Sequence, residues 1–409
     1  MTPKTFANSD THPAISGRRV QLSLLMAVSL AIGSVATALH AEDRNANWAL
    51  GLAAEDPGLA WELFEFVTQP QSPGGPMQWE GWKATRQVFL QNGAAPAPWG
   101  NPPKRVIGNV ALDESDGPSI VLRDGVHLES TFLDNPVDGG LRDLKGRPIF
   151  SEIRMNETIF DVVVAEELYN IEGQLTFNSK GQNLNLPDGS MEVKVTWRIL
   201  DDDDPLADSY LQTTATETVN GAEQSVTLGM TGMNILAKRN GKWFATAFEH
   251  KSNGDTTLDE NYPHIRLSLR APDNYTAANS ASAEKYEGTP LASYFAVGGQ
   301  HSFVASDGGP LYLTNTQQET QIVNTSSCLS CHAYSAIGII DGKPTRLDPL
   351  VTQHDDNTAT GYLGLPEADV LSRFTTFDMM WSMIEAQPKN PWITVDTLKV
   401  SELPPPHKD

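Results

Sequence analysis

Apolar residues at helical spacing predict two short amphipathic helices within residues 56–89. Leu59, Leu63 and Val67 recur every fourth position and would place one apolar face on a core. The break QPQSPGGP separates this series from a second apolar series with the same spacing. The prolines of AAPAPWGNPP, residues 94–103, exclude a helix and predict an extended connector.

The middle of the chain is predicted to be mainly β-structure. Apolar and polar residues alternate in MEVKVTW, residues 191–197, which predicts a strand with one face on a core and the other toward water. The dipeptide Asn240-Gly241 is the preferred two-residue turn of a β-hairpin, and it joins apolar-rich runs at 226–239 and 242–249. The further predicted elements are strands at 119–122, 148–155 and 265–269 and a helix at 157–169.

The last third of the chain has a different pattern. The small and polar residues of DNYTAANSASAEKYEGTP, 273–290, predict a linker or long surface loop. The segment FTTFDMMWSMIEAQ, 374–387, predicts an amphipathic helix. We therefore expect an α+β protein in which a β-rich domain with N-terminal helices, 42–317, precedes a short, mostly helical segment, 318–409.

The first 41 residues have the layout of a secretory signal. A polar start ends in Arg18-Arg19, an apolar run follows, and small residues come next, so that cleavage is predicted after Ala38 or Ala41. The apolar run is shorter than a membrane span and is interrupted by polar residues, although an uncleaved anchor is the alternative. The sequence thus predicts export to the periplasm or another compartment outside the cytoplasm, with no membrane span in the mature chain.

The charge of the chain limits its partners. Among 409 residues, 51 are Asp or Glu and 29 are Lys or Arg, which gives a formal net charge of -22. Such an acidic surface repels a phosphate backbone and argues against nucleic acid as a partner, whereas it would attract a basic protein. The chain has only two cysteines, so no disulfide framework can hold the fold together.

The two cysteines form a motif with a specific chemistry. Cys328, Cys331 and His332 lie in CLSCH, a C-x-x-C-H sequence that is the attachment signature of a c-type haem. Two thiols at this spacing can reach the two vinyl groups of one porphyrin, and the adjacent histidine can ligate the iron. A redox dithiol needs no following histidine, and a structural zinc needs four ligands where the chain offers two thiolates.

The motif makes the chain resemble the c-type cytochromes over about residues 318–390. The resemblance implies one haem c, bound covalently by Cys328 and Cys331, with His332 as the proximal ligand of its iron. It also implies electron transfer with a redox partner protein.

A wider resemblance involves the β-rich part of the chain. SMEVKVTWRIL, 190–200, and VTLGMTGMNILAKRNGKWFATAFEHKSN, 226–253, together with the later CLSCH, are similar to a group of bacterial cytochrome c family proteins. In that group a long β-rich region of unsettled function precedes a single haem site. This resemblance implies the architecture more than the activity.

The sequence leaves the sixth ligand of the iron open. Small electron-transfer cytochromes use a methionine downstream of the motif, which here favours Met380 or Met379, with Met383 as a third candidate. His250, at the end of the predicted hairpin strand, is a further candidate for a ligand or a distal-pocket residue. His301, His354 and His264 rank lower, and an open, five-coordinate iron is a separate alternative.

Two functions of different class follow from these alternatives. In the first, the protein is an electron carrier whose haem has both axial ligands and is buried against aromatic residues. In the second, it is a haem enzyme, peroxidase-like or another oxidoreductase, whose large β-rich domain forms a substrate pocket. A redox sensor or assembly protein ranks third. The aromatic residues expected around the haem are Tyr334, Phe374, Phe377 and Trp381.

Overall fold

The computed structural model describes most of the chain after its first 56 residues. The described residues are 57–100, 102–107, 119–124, 141–143, 145–220, 222–255, 273–303, 311–319, 326–348, 352–353, 359–360 and 366–404. The predicted leader, 1–41, and the predicted strand at 265–269 lie outside them. The described residues belong to one compact unit, to which those before and those after position 317 both contribute. This unit is mixed α and β with more strand than helix, as the α+β prediction expects.

Strands in the described residues belong to three sheets. They are β1 Lys83–Ala84, β2 Lys104–Ile107, β3 Ser119–Val121, β4 Arg123–Asp124, β5 Phe150–Met155, β6 Met191–Leu200, β7 Gln212–Val219, β8 Ala222–Arg239, β9 Lys242–His250, β10 Tyr294–Gln300, β11 Ala336–Ile340, β12 Lys343–Leu347, β13 Thr352–Gln353, β14 Ala359–Thr360, β15 Phe374–Thr376 and β16 Asp396–Leu398.

Helices in the described residues are short. The α-helices are α1 Pro57–Thr68, α2 Thr85–Val88, α3 Glu157–Ala165, α4 Ile171–Ser179, α5 Asp273–Lys285, α6 Cys328–His332 and α7 Ala368–Leu371. The 3-10 turns are Gln78–Gly81, Ala207–Ser209, Lys251–Asp255, Pro290–Ser293, Trp381–Glu385 and Val400–Glu402. Across the described region, each helix is too short or too polar for a bilayer span.

The largest sheet in the described residues has ten strands. Its main path runs β1-β5-β6-β8-β7-β2-β3, while β4 pairs with β5, and β9 lies between β8 and β10. The long strand β8 pairs with β6 along one side; along its other side, its first half pairs with β7 and its second half with β9. The pairs are antiparallel except for β2, which runs parallel to β3 and β7.

The predicted hairpin is confirmed at the centre of this sheet. Asn240 and Gly241 have φ values of 49° and 71°, the left-handed conformation that a tight two-residue turn requires at both positions. They join β8 to β9, and Arg239 pairs with Lys242 across the turn. The strands predicted at 119–122 and 148–155 are also present, as β3 and β5.

The helix predictions in the first half are confirmed in part. The first predicted helix is α1, but the second is reduced to the turn Gln78–Gly81 and the four-residue α2. The helix predicted at 157–169 is α3, whose first turn is capped by Asn156 accepting a hydrogen bond from the Ile159 backbone. It ends at Ala165, shortly before Glu167 with a φ of 55°.

The predicted linker at 273–290 is wrong, because its first thirteen residues form α5. The helix is held by a polar side chain that sequence periodicity does not reveal. Asn279 accepts a hydrogen bond from Trp61 Nε1 at 3.0 Å, and it makes two bonds of 2.9 Å with the backbone of Ala296. Helix α5 therefore bridges α1 and β10, and its small residues permit this close packing.

The polar face of β6 is buried rather than solvent-exposed, contrary to the prediction for residues 191–197. Glu192 and Thr196 are 5% and 0% exposed. The loop at 311–319 covers this face: Gln318 Nε2 donates to the Lys194 carbonyl at 2.9 Å, and Asn315 donates to Asn234 Oδ1 on β8 at 3.0 Å. The alternation correctly predicts a strand. The prediction that its polar face is exposed to water is wrong, because a second layer of the protein packs against that face.

A mostly helical segment at 318–409 is not confirmed. The helices described there have five and four residues, while β15, β11, β12 and β16 form a four-stranded sheet. The turn Asp341-Gly342, with φ values of 49° and 80°, joins β11 to β12 and is a hairpin signal of the same type as Asn-Gly. The β-branched run of β11 favours the sheet as well.

The amphipathic helix predicted at 374–387 is also wrong. Strand β15 opens the segment, and a 3-10 turn, Trp381–Glu385, closes it. Between them, Asp378 and Met379 have φ values of 50° and 66°, which a right-handed helix cannot accommodate. This left-handed turn lies beside the C-x-x-C-H motif.

Candidate functional site

The C-x-x-C-H motif forms one helical turn, α6, that rests on the edge of the large sheet. The N-cap residue Ser327, which precedes the helix, makes no capping hydrogen bond with its side chain. Instead Gln300, the fully buried last residue of β10, accepts from the Leu329 backbone at 3.2 Å and donates to Ser327 Oγ at 2.7 Å. One side chain of the sheet thus satisfies the start of the helix and fixes its place.

The two thiols lie on the same side of this turn because their residues are three positions apart. Neither Cys328 nor Cys331 forms a disulfide, and both residues are half-buried. Cys328 Sγ donates a hydrogen bond to the Leu313 carbonyl at 3.5 Å. Burial raises the pKa of Cys331 to about 12 and the pKa of Cys328 well above its ordinary value. The thiols are therefore protonated at neutral pH, unlike the low-pKa cysteines of redox dithiols and metal sites.

A partly buried carboxylate adds to this effect. Glu319 raises the pKa of both thiols through its negative charge, after the larger contribution of burial. The carboxylate accepts from the Asn315 backbone at 2.7 Å and from Asn234 Nδ2 at 3.2 Å, and Lys194 Nζ lies 4.0 Å away. The polar layer between the sheet and α6 thus disfavours thiolate formation.

His332 has its ring fixed by the turn described above. Its Nδ1 lies 2.7 Å from the carbonyl oxygen of Met379, and since a carbonyl only accepts, Nδ1 carries the proton. Within the described residues the structure records no hydrogen bond to Nε2. Burial lowers the pKa of His332 to about 4, so the ring is neutral at neutral pH and Nε2 has a free electron pair.

Two further bonds join the end of the motif to the same segment. Ser335 Oγ donates to the Met380 carbonyl at 2.6 Å, and the Phe377 backbone donates to the Ser335 carbonyl at 2.8 Å. The structure thereby brings together residues that the sequence separates by more than forty positions.

This donor set fits a c-type haem. A metal-ligating histidine usually donates its other ring N–H to a carbonyl or carboxylate, as His332 does. Two protonated thiols on one side of the same turn are the groups that thioether formation needs. No cluster of three or more His, Cys, Asp or Glu side chains able to hold a bare metal ion occurs in the part of the chain that is described.

The candidate methionines lie beside the Nδ1 edge of His332. The carbonyl of Met379 itself contacts Nδ1, and Met380 and Met383 follow it as fully buried residues of the main core cluster. If His332 held an iron through Nε2, a second protein ligand would have to come from a part of the chain other than the one that contacts Nδ1. The position of this segment is therefore unfavourable for a methionine ligand, and ligation by these residues stays a prediction.

His250 is built into a different polar cluster. Its Nδ1 lies 2.6 Å from Ser252 Oγ, its Nε2 lies 3.1 Å from the Ser209 carbonyl, and its ring stacks on Tyr210 at 3.8 Å. Both ring nitrogens are engaged. Gln300, which holds α6, pairs with Ala245 on β9, five residues before His250 and thus about 16 Å along the strand. The structure does not bring His250 to the motif.

Of the three lower-ranked histidines, the structure describes one. His301 directly follows Gln300 and is half-buried, whereas His264 and His354 lie outside the described residues.

The four aromatic residues expected around the haem are packed in the core next to α6. Tyr334, Phe374 and Trp381 share one small cluster, and Phe377 belongs to the larger one.

Two residues of the site have no signal in the sequence. Gln300 caps the motif from a strand, and Asp378 forms the left-handed turn that presents the Met379 carbonyl. Both act through contacts that are distant along the chain, so neither local spacing nor a motif identifies them.

A scan against models of protein families finds none that matches this chain, and searches of curated proteins and of solved structures also find no match.

Proposed function

We propose that the protein is an exported c-type cytochrome that binds one haem covalently through Cys328 and Cys331 and transfers electrons. The observation that carries this proposal is the hydrogen bond from His332 Nδ1 to the Met379 carbonyl. It leaves Nε2 unprotonated and orients the ring as a proximal ligand requires. The bound haem would supply a one-electron redox couple.

The residues of the site have separate tasks in this proposal. Each cysteine adds its S–H across one vinyl group, which forms a thioether and consumes no further reagent. Gln300 holds α6 against the sheet so that both thiols and the histidine keep one orientation. The neutral imidazole of His332 keeps its electron pair available at neutral pH, because burial lowers its pKa to about 4.

Electron transfer is favoured by the single motif and by the charge of the chain. A net charge of -22 would steer a basic redox partner toward the protein and make their association sensitive to salt. The aromatic cluster of Tyr334, Phe374 and Trp381 would shield the haem from water on the side of the small sheet. Export, expected from residues 1–41, would bring the chain to the compartment where haem is attached.

A haem oxidoreductase is the second candidate, and one observation favours it. Met379, Met380 and Met383 belong to the segment at the Nδ1 edge of His332, so none of them is well placed as a sixth ligand. An iron without a sixth protein ligand could bind peroxide or another small substrate. The large sheet would then form part of a substrate pocket.

The optical spectrum of the purified protein, reduced and with carbon monoxide, separates these candidates. A reduced iron that is low-spin and does not change with carbon monoxide has two protein ligands, and this result supports the electron carrier. A spectrum that shifts with carbon monoxide supports the oxidoreductase. The variant His332→Ala is the matched control, because it should keep both thioethers but lose the proximal ligand.

A further inference from the structure

The turn that presents the Met379 carbonyl to His332 is held by residues that are far away in the sequence. Asp378 Oδ2 accepts from Lys238 Nζ and from the Leu186 backbone, both at 2.6 Å, and its Oδ1 accepts from Trp243 Nε1 at 2.9 Å. Lys238 lies near the end of β8 and Trp243 near the start of β9. One carboxylate therefore ties the central hairpin to the turn.

This anchor is largely shielded from water. The side chains of Lys238 and Asp378 are 3% and 16% exposed, and Lys238 Nζ also donates to Asn185 Oδ1 at 2.6 Å. Hydrogen bonds between charged groups are strong in such surroundings. The anchor can thus stabilise a backbone conformation that is otherwise unfavourable.

The conformation that it stabilises is unusual. Asp378 and Met379 have consecutive positive φ values, 50° and 66°, and the second belongs to a residue type that rarely adopts the left-handed region. In this conformation the Met379 carbonyl lies 2.7 Å from His332 Nδ1. A strained turn of this kind persists where the surrounding structure over-determines it, and three bonds to one carboxylate do so here.

We propose that Asp378 is a positioning residue for the proximal histidine: by anchoring the turn to Lys238 and Trp243, it holds the Met379 carbonyl on His332 Nδ1 and so sets the reduction potential of the haem. The inference rests on the proposed function and extends it to residues of the hairpin. A strong bond at Nδ1 makes the imidazole a better donor to iron and favours the ferric state. A weakened anchor therefore raises the potential.

The direct test is the reduction potential of the holoprotein in three variants. Asp378→Asn keeps a residue that tolerates a positive φ but removes the charge and one acceptor oxygen. Lys238→Met removes the cation, and Trp243→Phe removes one hydrogen bond with no change in charge. The positioning role predicts a positive shift in all three, largest for Asp378→Asn, and less than additive shifts when variants are combined.

The sign of the shifts distinguishes positioning from a simple effect of charge. If Asp378 acted only through its charge, Asp378→Asn would raise the potential, Lys238→Met would lower it, and Trp243→Phe would leave it unchanged. That pattern, or unchanged potentials in all three haem-loaded variants, would overturn the inference. Trp243→Phe keeps both charges, so it provides the readout even if Asp378→Asn does not fold.

Matched controls come from the surface of the same part of the chain. Asp396→Asn makes the same change in an exposed ion pair with Lys343, and Trp392→Phe makes the same change in a side chain that is 88% exposed. Both should leave the potential unchanged. A wild-type protein without covalent haem would overturn the proposed function and this inference together, whereas unchanged potentials overturn the inference alone.

Discussion

Met379 contributes to the site through its backbone more than through its side chain. Its carbonyl holds the Nδ1 proton of His332, while its side chain packs between the two core clusters. Met380 and Met383 are completely buried. At the scale of single residues, the side chains of these methionines are thus part of the core, and the group that contacts His332 is the backbone carbonyl of Met379.

Replacing each of the three methionines with leucine should leave the axial ligands of the iron unchanged. Met379→Leu, Met380→Leu and Met383→Leu conserve volume and should each cost less than about 1.5 kcal/mol of stability. The measurement is the optical spectrum, including the far-red band that sulfur ligation to ferric iron produces. Loss of such a band in one variant only would identify that methionine as the sixth ligand and contradict this placement.

The sequence motif is the source of the proposed haem-binding residues, whereas the residues that hold them in place could not be predicted from the sequence. CLSCH identifies Cys328, Cys331 and His332 because the spacing itself is the signal. The partner of His332 is a carbonyl 47 residues later, and Asp378 is anchored by Lys238, 140 residues before it. Local patterns contain no information about such contacts.

Whole helices and strands show the same contrast between features set by neighbouring residues and features set by contacts that are distant in sequence. Short-range signals predicted α1, α3 and the β8–β9 hairpin, because helical spacing and an Asn-Gly turn act within a few residues. The helix predicted at 374–387 failed, since tertiary bonds to Asp378 stabilise a left-handed turn in its middle. The linker predicted at 273–290 failed because Asn279 docks α5 on Trp61 and Ala296.

Helix α6 is too short to be stable alone, so it should depend on Gln300. In Gln300→Leu, the Leu329 backbone and Ser327 Oγ lose their partner in a buried position, which should cost about 1–3 kcal/mol of stability. Urea unfolding measures this cost, and the yield of covalent haem should fall in parallel. Gln224→Leu changes an exposed glutamine on β8 and should alter stability by less than about 0.5 kcal/mol. Equal stability of the two variants would contradict the role of Gln300.

On the scale of the whole molecule, the main feature is a sheet with a polar face that is buried. The α+β class follows from the sequence, yet alternation in residues 191–197 could not show that the loop at 311–319 covers the second face. Glu192 lies in this layer, 5% exposed, and burial raises its pKa to about 8. The folded protein therefore keeps a proton there that the unfolded chain releases at ordinary carboxyl pKa values.

This burial predicts a specific dependence of stability on pH. Between about pH 4.5 and 8 the folded state binds one proton more than the unfolded state at Glu192, so stability should fall as pH rises through this window. Glu192→Gln removes the effect, and its stability relative to the wild type should increase by on the order of 3 kcal/mol between pH 5 and pH 8. Urea unfolding at both pH values provides the comparison.

His250 does not obscure this measurement. Burial lowers the pKa of His250 to about 4, so its contribution to stability is lost as pH falls from about 6.5, the opposite direction. It is present in both proteins and cancels in their difference. Glu284→Gln, an exposed position on α5, is the control and should show no such change with pH. A constant difference between Glu192→Gln and the wild type would contradict the assigned protonation.

The most direct test of the central claim is the intact mass of the denatured protein after production in an oxidising compartment with haem attachment. Covalent haem at CLSCH predicts the mass of the processed polypeptide plus one haem, which acid extraction does not remove. Cys328→Ser and Cys331→Ser should each retain at most one thioether and give a much lower haem-bound fraction. A wild-type mass equal to that of the polypeptide alone, or full haem retention in both single variants, would contradict the assignment.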